Sequence, residues 1–172
     1  MNPLDHCFQQ LRARGRKAFV AFLTAGDPDL PATVAAAREL VRAGADVLEI
    51  GFPYSDPIAD GPVIQASYTR ALAKGVRVDD IFRCARELGA VGVPLVGMVS
   101  YAIVHRRSPE AFLTQAQEAG FSGAIVPDRP SRRRTALLWA ARLCAAWNRQ
   151  RIVLSPRSSQ RSALLLSHWP RR

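Results

Sequence analysis

Three acids stand close together in VLEIGFPYSDPIADGP (47–62): Glu49 inside an apolar run, then Asp56 and Asp60 in a proline-rich loop. Side chains alternate along a strand, so Val47, Glu49 and Gly51 share one face while Leu48, Ile50 and Phe52 share the other. The Leu-Ile-Phe face is the one that packs on helices. Glu49 then points the opposite way, into a barrel interior or a cleft at the edge of a sheet. Burial disfavours the ion and raises the pKa unless a cation pairs with it. A carboxyl shifted in that way can both give and take protons near neutral pH. The plainer alternative is a structural glutamate paired with an arginine. Asp56 and Asp60 follow the C-terminal end of the strand, where parallel α/β folds place their sites. Pro53, Pro57 and Pro62 restrict that loop and Gly61 relieves it, so it can hold an acid over a pocket or close as a lid. Here the plainer alternative is a polar turn.

The elements that must position these acids alternate along the chain. Residues 4–14 form a helix with Leu4, Phe8 and Leu11 on one face. KAFVAFLTAG (17–26) is a strand, and Asp29 and Pro31 open a helix that ends at Gly44. A second strand covers 47–52. Helices follow from Pro62 to about Lys74 and from a cap at Asp79 to Leu88. PLVGMVSY (94–101) is the third strand, Ser108-Pro109 caps a helix ending at Gly120, and GAIVPD (123–128) is the fourth strand. Strand–helix units of this size imply parallel pairing, and near-continuous apolar strands imply that both sheet faces are covered. The class is α/β, either a doubly wound sheet or a run of a (β/α)8 barrel, and the pattern alone does not separate the two.

Composition narrows the other classes of function. The chain has 172 residues and a net charge of +10, with an uneven distribution. Residues 129–172 hold 11 arginines and no acid, whereas 1–128 hold the other 13 basic residues and all 14 acids, a sum of −1. The first reading of such basicity is a nucleic-acid partner, through an Arg- and Trp-bearing tail that grips phosphates and stacks on bases. The N-terminus lacks the apolar stretch of a signal peptide, and no apolar run approaches the ~18 residues of a membrane span. Cys7, Cys84 and Cys144 form no CxxC pair, so reduced thiols in the cytoplasm are expected. His6, His105 and His168 are scattered, without metal-ligand spacing. No nucleotide-cradling glycine motif occurs, and Ser55 and Ser100 lack a nucleophile-elbow context.

Four stretches, AFLTAGDPD (21–29), VLEIGFPYSDPIADGPVIQ (47–65), PLVGMVSY (94–101) and GAIVPD (123–128), together resemble the tryptophan synthase alpha chain family. The resemblance covers residues 1–128 almost continuously. It implies a TIM-type (β/α)8 barrel of which 1–128 form the first half, about four βα units. It implies a retro-aldol cleavage of indole-3-glycerol phosphate to indole and glyceraldehyde 3-phosphate. The family's two catalytic acids fall on Glu49, as the acid/base, and on Asp60, which accepts the indole N–H and steadies the cationic ring. Phe22 and Tyr101 match positions near the indole pocket and strand-end hydrogen bonding, as substrate-binding residues. Pro53 and Asp56 match the surface that meets a beta chain in an α2β2 tetramer. Pyridoxal phosphate belongs to that beta chain, so no cofactor is expected here.

The tail departs from the resemblance. After VPD the family runs on into further strands that supply a glycine-rich phosphate site. Here Arg-Pro-Ser-Arg-Arg-Arg follows, then RRRTALLWAARLCAAWNRQ as a basic amphipathic helix and RIVLS as one short strand. Residues 129–172 are expected to be a non-family tail, with the chain weakly stable and poorly active, and its first and fourth strands left as open edges. A half-barrel that dimerises is a further expectation. A shifted reading frame is the expected origin of the tail: GTC-GAG-GAG-GCG encodes Val-Glu-Glu-Ala, and one base later TCG-AGG-AGG encodes Ser-Arg-Arg. Resequencing the DNA around codon 129 checks this. The expected result is a second frame that encodes a glycine-rich barrel half. A confirmed read with no such frame rules the shift out.

Overall fold

Short strands of branched residues alternate with helices, several of which open on a capping side chain, and build a parallel sheet backed by helices. A computed structural model describes residues 2–58 and 60–128, together with the backbone of 151–153. In chain order the elements are α1 (Pro3–Ala13), β1 (Val20–Thr24), α2 (Leu30–Arg42), β2 (Val47–Gly51), α3 (Pro62–Ala73), α4 (Val78–Leu88), β3 (Leu95–Met98), α5 (Tyr101–Arg107), α6 (Pro109–Glu118), β4 (Phe121–Ile125) and β5 (Arg151–Val153). The strands pair in chain order, each parallel to the next. Every connection steps the same way, as in a barrel wall, whereas a doubly wound sheet reverses its strand order. The strand order thus decides the choice that pattern alone left open.

Several local expectations are corrected. The third strand stops at Met98, and Tyr101 opens α5 instead of ending a strand. The cause is a remote cap: Tyr101 N donates to Asp128 Oδ1 at 2.7 Å, and Ser100 Oγ donates to Asp128 Oδ2 at 2.6 Å. Helix α4 begins after Arg77, not at Asp79, because Asp80 Oδ2 accepts the Arg77 amide at 2.9 Å. Asp79 instead pairs with Arg107 at 2.6 Å. RIVLS does contain a strand, and Gly123–Ile125 pair with Arg151–Val153. The sheet therefore has five strands among the described residues, and β4 is not an edge. The basic helix expected within 132–150 lies outside the described residues.

The two faces of β2 carry different cores. Leu48, Ile50 and Phe52 are buried against Val34 and Ala37 of α2, Ile81, Phe82 and Leu88 of α4, and Phe112 and Leu113 of α6. The Phe52 ring sits 5.8 Å from those of Phe82 and Phe112 and 5.7 Å from Phe121. Gly97 leaves room for that ring, since a Cβ there would stand 3.1 Å from Phe52 Cε2. On the inner face Val47 packs with Val96, Ile125 and Leu4, and α1 closes the N-terminal end of the strands. Asn2 fastens α1 there by donating to the Ser122 carbonyl at 2.9 Å. Truncating Phe52 would empty the centre of the outer core. Phe52→Ala should lower stability by about 3–5 kcal/mol, read as a fall in the urea midpoint.

Candidate active site

Glu49 occupies the middle of β2, in register with Phe22 of β1 and Val96 of β3, on the inner face. Beneath it Val47 is fully buried, and Glu49 itself is half-buried. Above it stands Gly51. A Cβ at Gly51 would lie 2.6 Å from Phe22 Cζ and 2.9 Å from Tyr68 Oη, so only glycine lets both rings reach this end of the strand. Among the described residues no side chain donates a hydrogen bond to Glu49 and no cation pairs with it. Burial holds its pKa above the usual carboxylate range, and the nearby charge of Asp60 adds to the rise. The structural alternative of a glutamate salt-bridged to an arginine does not hold for the described residues.

The loop after β2 carries Asp60 back toward that carboxyl. Pro57 O accepts the Asp60 amide at 3.1 Å, and Gln65 Nε2, from the first turns of α3, donates to Pro57 O and Asp60 O at 3.1 and 2.8 Å. Tyr54 Oη donates to Asp60 Oδ2 at 3.2 Å. The pKa of Asp60 is raised, chiefly by burial and further by Asp128, while the Tyr54 hydrogen bond pulls it down. Tyr54 is itself pushed well up by burial and by Asp60, which keeps it a neutral donor. Helix α3 is tied to the loop after β1 by Arg70, whose Nε and Nη2 meet the two Asp27 oxygens at 2.8 and 2.6 Å. Thr24 and Ser67 add a 2.7 Å hydroxyl contact across the same seam.

Glu49, Asp60 and Phe22 thus converge at the C-terminal end of the sheet. Tyr101 is half-buried at the start of α5, with its ring 5.6 Å from that of His105. Pro53 is buried under the loop, whereas Asp56 is exposed, so of these two only Asp56 offers its side chain to solvent. Residues that the sequence reading left without a role also stand here: Tyr54, Tyr68 and Asp128. Asp128 follows β4 as Asp60 follows β2, and that equivalence is the signal that could have found it. Among the described residues no His, Cys, Asp and Glu cluster could hold a metal ion, and no helix is long and apolar enough to cross a membrane. The arrangement can exchange a proton at Glu49 beside an aromatic ring and hold a developing cation near Asp60.

The family model described as tryptophan synthase alpha chain matches residues 8–164. The chain belongs to the tryptophan synthase alpha chain family. The match to this family runs past residue 128, into the segment that composition sets apart. The chain is 50% identical over 131 residues to the tryptophan synthase alpha chain of Synechocystis sp., covering 76% of this chain and 50% of that one. It is 47% identical over 132 residues to that of Rhodopirellula baltica, covering 74% and 48%. The crystal structure of tryptophan synthase subunit alpha from Legionella pneumophila superposes with a TM-score of 0.79 at 34% identity, covering 90% of this chain and 57% of that one. A tryptophan synthase structure from M. tuberculosis gives a TM-score of 0.78 at 36% identity, covering 86% and 57%. The fold is therefore that of the alpha-chain barrels, and this chain spans about half the length of the curated relatives it matches.

The site makes a pH-dependent demand on stability. Glu49 binds its proton more tightly folded than unfolded. Its contribution is present below the unfolded pKa, near 4.5, and is lost as pH rises through the folded value. Glu49→Gln cannot ionise, so it should match the wild-type chain in urea midpoint at pH 4 and exceed it at neutral pH. An equal difference at both pH values would contradict the burial of this carboxyl.

Proposed function

We propose that this chain carries the proton-transfer centre for retro-aldol cleavage of indole-3-glycerol phosphate to indole and glyceraldehyde 3-phosphate. The reading follows from membership of the tryptophan synthase alpha chain family, and the observation that carries it is the convergence of Glu49 and Asp60, both with raised pKa, beside Phe22. Protonated Glu49 gives its proton to indole C3, which leaves a cationic ring. Asp60 accepts the indole N–H and steadies that charge. The ionised Glu49 then takes the proton of the glycerol hydroxyl next to the breaking bond. The O–H electrons form the aldehyde C=O, the C–C electrons return to the ring, and Glu49 ends protonated as it began. Phe22 offers its ring to the indole, and Tyr101 lies at the rim as a substrate contact.

The chain's own chemistry calls for no cofactor. A tryptophan synthase beta chain, with its pyridoxal phosphate, would consume the indole in an α2β2 assembly, and the exposed Asp56 is the contact this loop offers it.

Indole release from indole-3-glycerol phosphate tests the reading, with and without added beta chain. Glu49→Gln and Asp60→Asn should each slow release by about 100-fold or more. A wild-type chain that releases no indole, or a Glu49→Gln chain that keeps the wild-type rate, contradicts the proposal.

A further inference from the structure

Helix α3 turns Ser67, Tyr68 and Ala71 toward the sheet. Ser67 is satisfied twice, by Thr24 Oγ1 and by the Ile64 carbonyl, each at 2.7 Å. Tyr68 is 1% exposed, and its hydroxyl has no hydrogen-bond partner among the described residues. A buried phenol in that state has lost its water and gained nothing in return, which is uncommon and asks for an explanation. The hydroxyl is not lost in a general core. It lies 2.9 Å from where a Gly51 Cβ would stand, so it reaches over the end of β2 onto the face that carries Glu49. The ring packs on Tyr54 with 5.6 Å between centroids.

Glu49 and Asp60 are the carboxyls of this corner that have an oxygen without a donor among the described residues, and of the two Asp60 acts more strongly on Tyr68. Asp60 Oδ2 accepts from Tyr54, and its Oδ1 accepts no hydrogen bond among the described residues. Among the described residues the titratable groups that act on this corner are Glu49 from β2, Asp128 after β4, Tyr54 and Asp56 from the loop, and Tyr68 from α3, and none is a cation. A carboxylate surrounded by acids is held only by neutral donors, and Tyr68 is the neutral donor with nothing to hold.

We propose that Tyr68 is a positioning residue for Asp60: in solution its hydroxyl donates to the free oxygen of that carboxylate, so that Tyr54 and Tyr68 fix the group between two phenols. The proposal deepens, and rests on, the reading of Asp60 as the acceptor of the substrate's ring N–H. With one phenol on each oxygen, the carboxylate cannot swing, and each oxygen keeps a lone pair for the incoming N–H. Burial, Asp60, Tyr54 and Glu49 all press the Tyr68 pKa upward, so it stays a neutral donor across the working range.

The test is the titration of Asp60 Cγ by carbon-13 NMR in the full chain, free of ligand, in wild type, Tyr54→Phe, Tyr68→Phe and the double variant. Tyr54→Phe is the positive control, since its hydrogen bond to Asp60 is already formed. Tyr68→Phe should raise the proton affinity of Asp60 about three- to tenfold, and the double variant should raise it further. An Asp60 titration unchanged or lowered in Tyr68→Phe overturns the proposal, as does a shift confined to Glu49. A reading that needs no change at position 68 is the Tyr68 hydroxyl proton, which should move upfield in Asp60→Ala and would stay in place if the two groups do not meet. A Tyr68→Phe chain that shows the Asp60 shift while wild type releases no indole supports the role of Tyr68 and sinks only the proposed reaction.

Discussion

The alternation of side chains along a five-residue strand places one carboxyl against its interest. Leu48 and Ile50 claim the helix-facing side of β2, and their burial leaves Glu49 no choice but the inner face beside Phe22. Sliding the strand by one residue would put the acid into the outer core and the apolar pair into the barrel, so the apolar burial fixes the position of the acid. Buried, beside Asp60 and with no cation near it among the described residues, the carboxyl holds its proton more tightly than a solvated one does. The free energy of the outer core, centred on Phe52, is what keeps this unfavourable arrangement in place.

Everything near Glu49 is arranged by contacts that run between elements. Asp60 returns to the strand end because Gln65 grips the loop carbonyls. Phe22 and Tyr68 face the same corner because Gly51 has no side chain to exclude them. Asp128 caps α5 and at the same time adds negative charge near Asp60 and Tyr54. The outcome is, among the described residues, a corner of acids and neutral phenols without a cation, which favours proton exchange over ion pairing.

Much of this was legible in the residues themselves. The period-two pattern of 47–52 points to Glu49, because strand alternation is a local property, whereas the proline-rich loop offers Asp56 and Asp60 alike and only the family resemblance selects Asp60. Caps at Asp29 and Ser108 were legible because capping is local too. Tyr101 was read as a strand end because the carboxylate that turns it into a helix start comes from Asp128, on another unit. Tyr68 was invisible as a site residue. Periodicity can say that it faces the sheet, but not that α3 crosses β2 where its hydroxyl meets the strand end. The choice between a barrel wall and a doubly wound sheet was likewise a matter of strand order, which no single βα unit contains.

The central claim is that Glu49 is a shielded carboxyl whose proton is held by burial and by the charge of Asp60. Carbon-13 NMR titration of Glu49 Cδ, in the wild-type chain and in Asp60→Asn, measures it without reference to any substrate. Glu49 should titrate above the ordinary 4.5, and its pKa should fall, without returning fully, when the Asp60 charge is removed. A Glu49 that titrates at the ordinary value in both chains would contradict it.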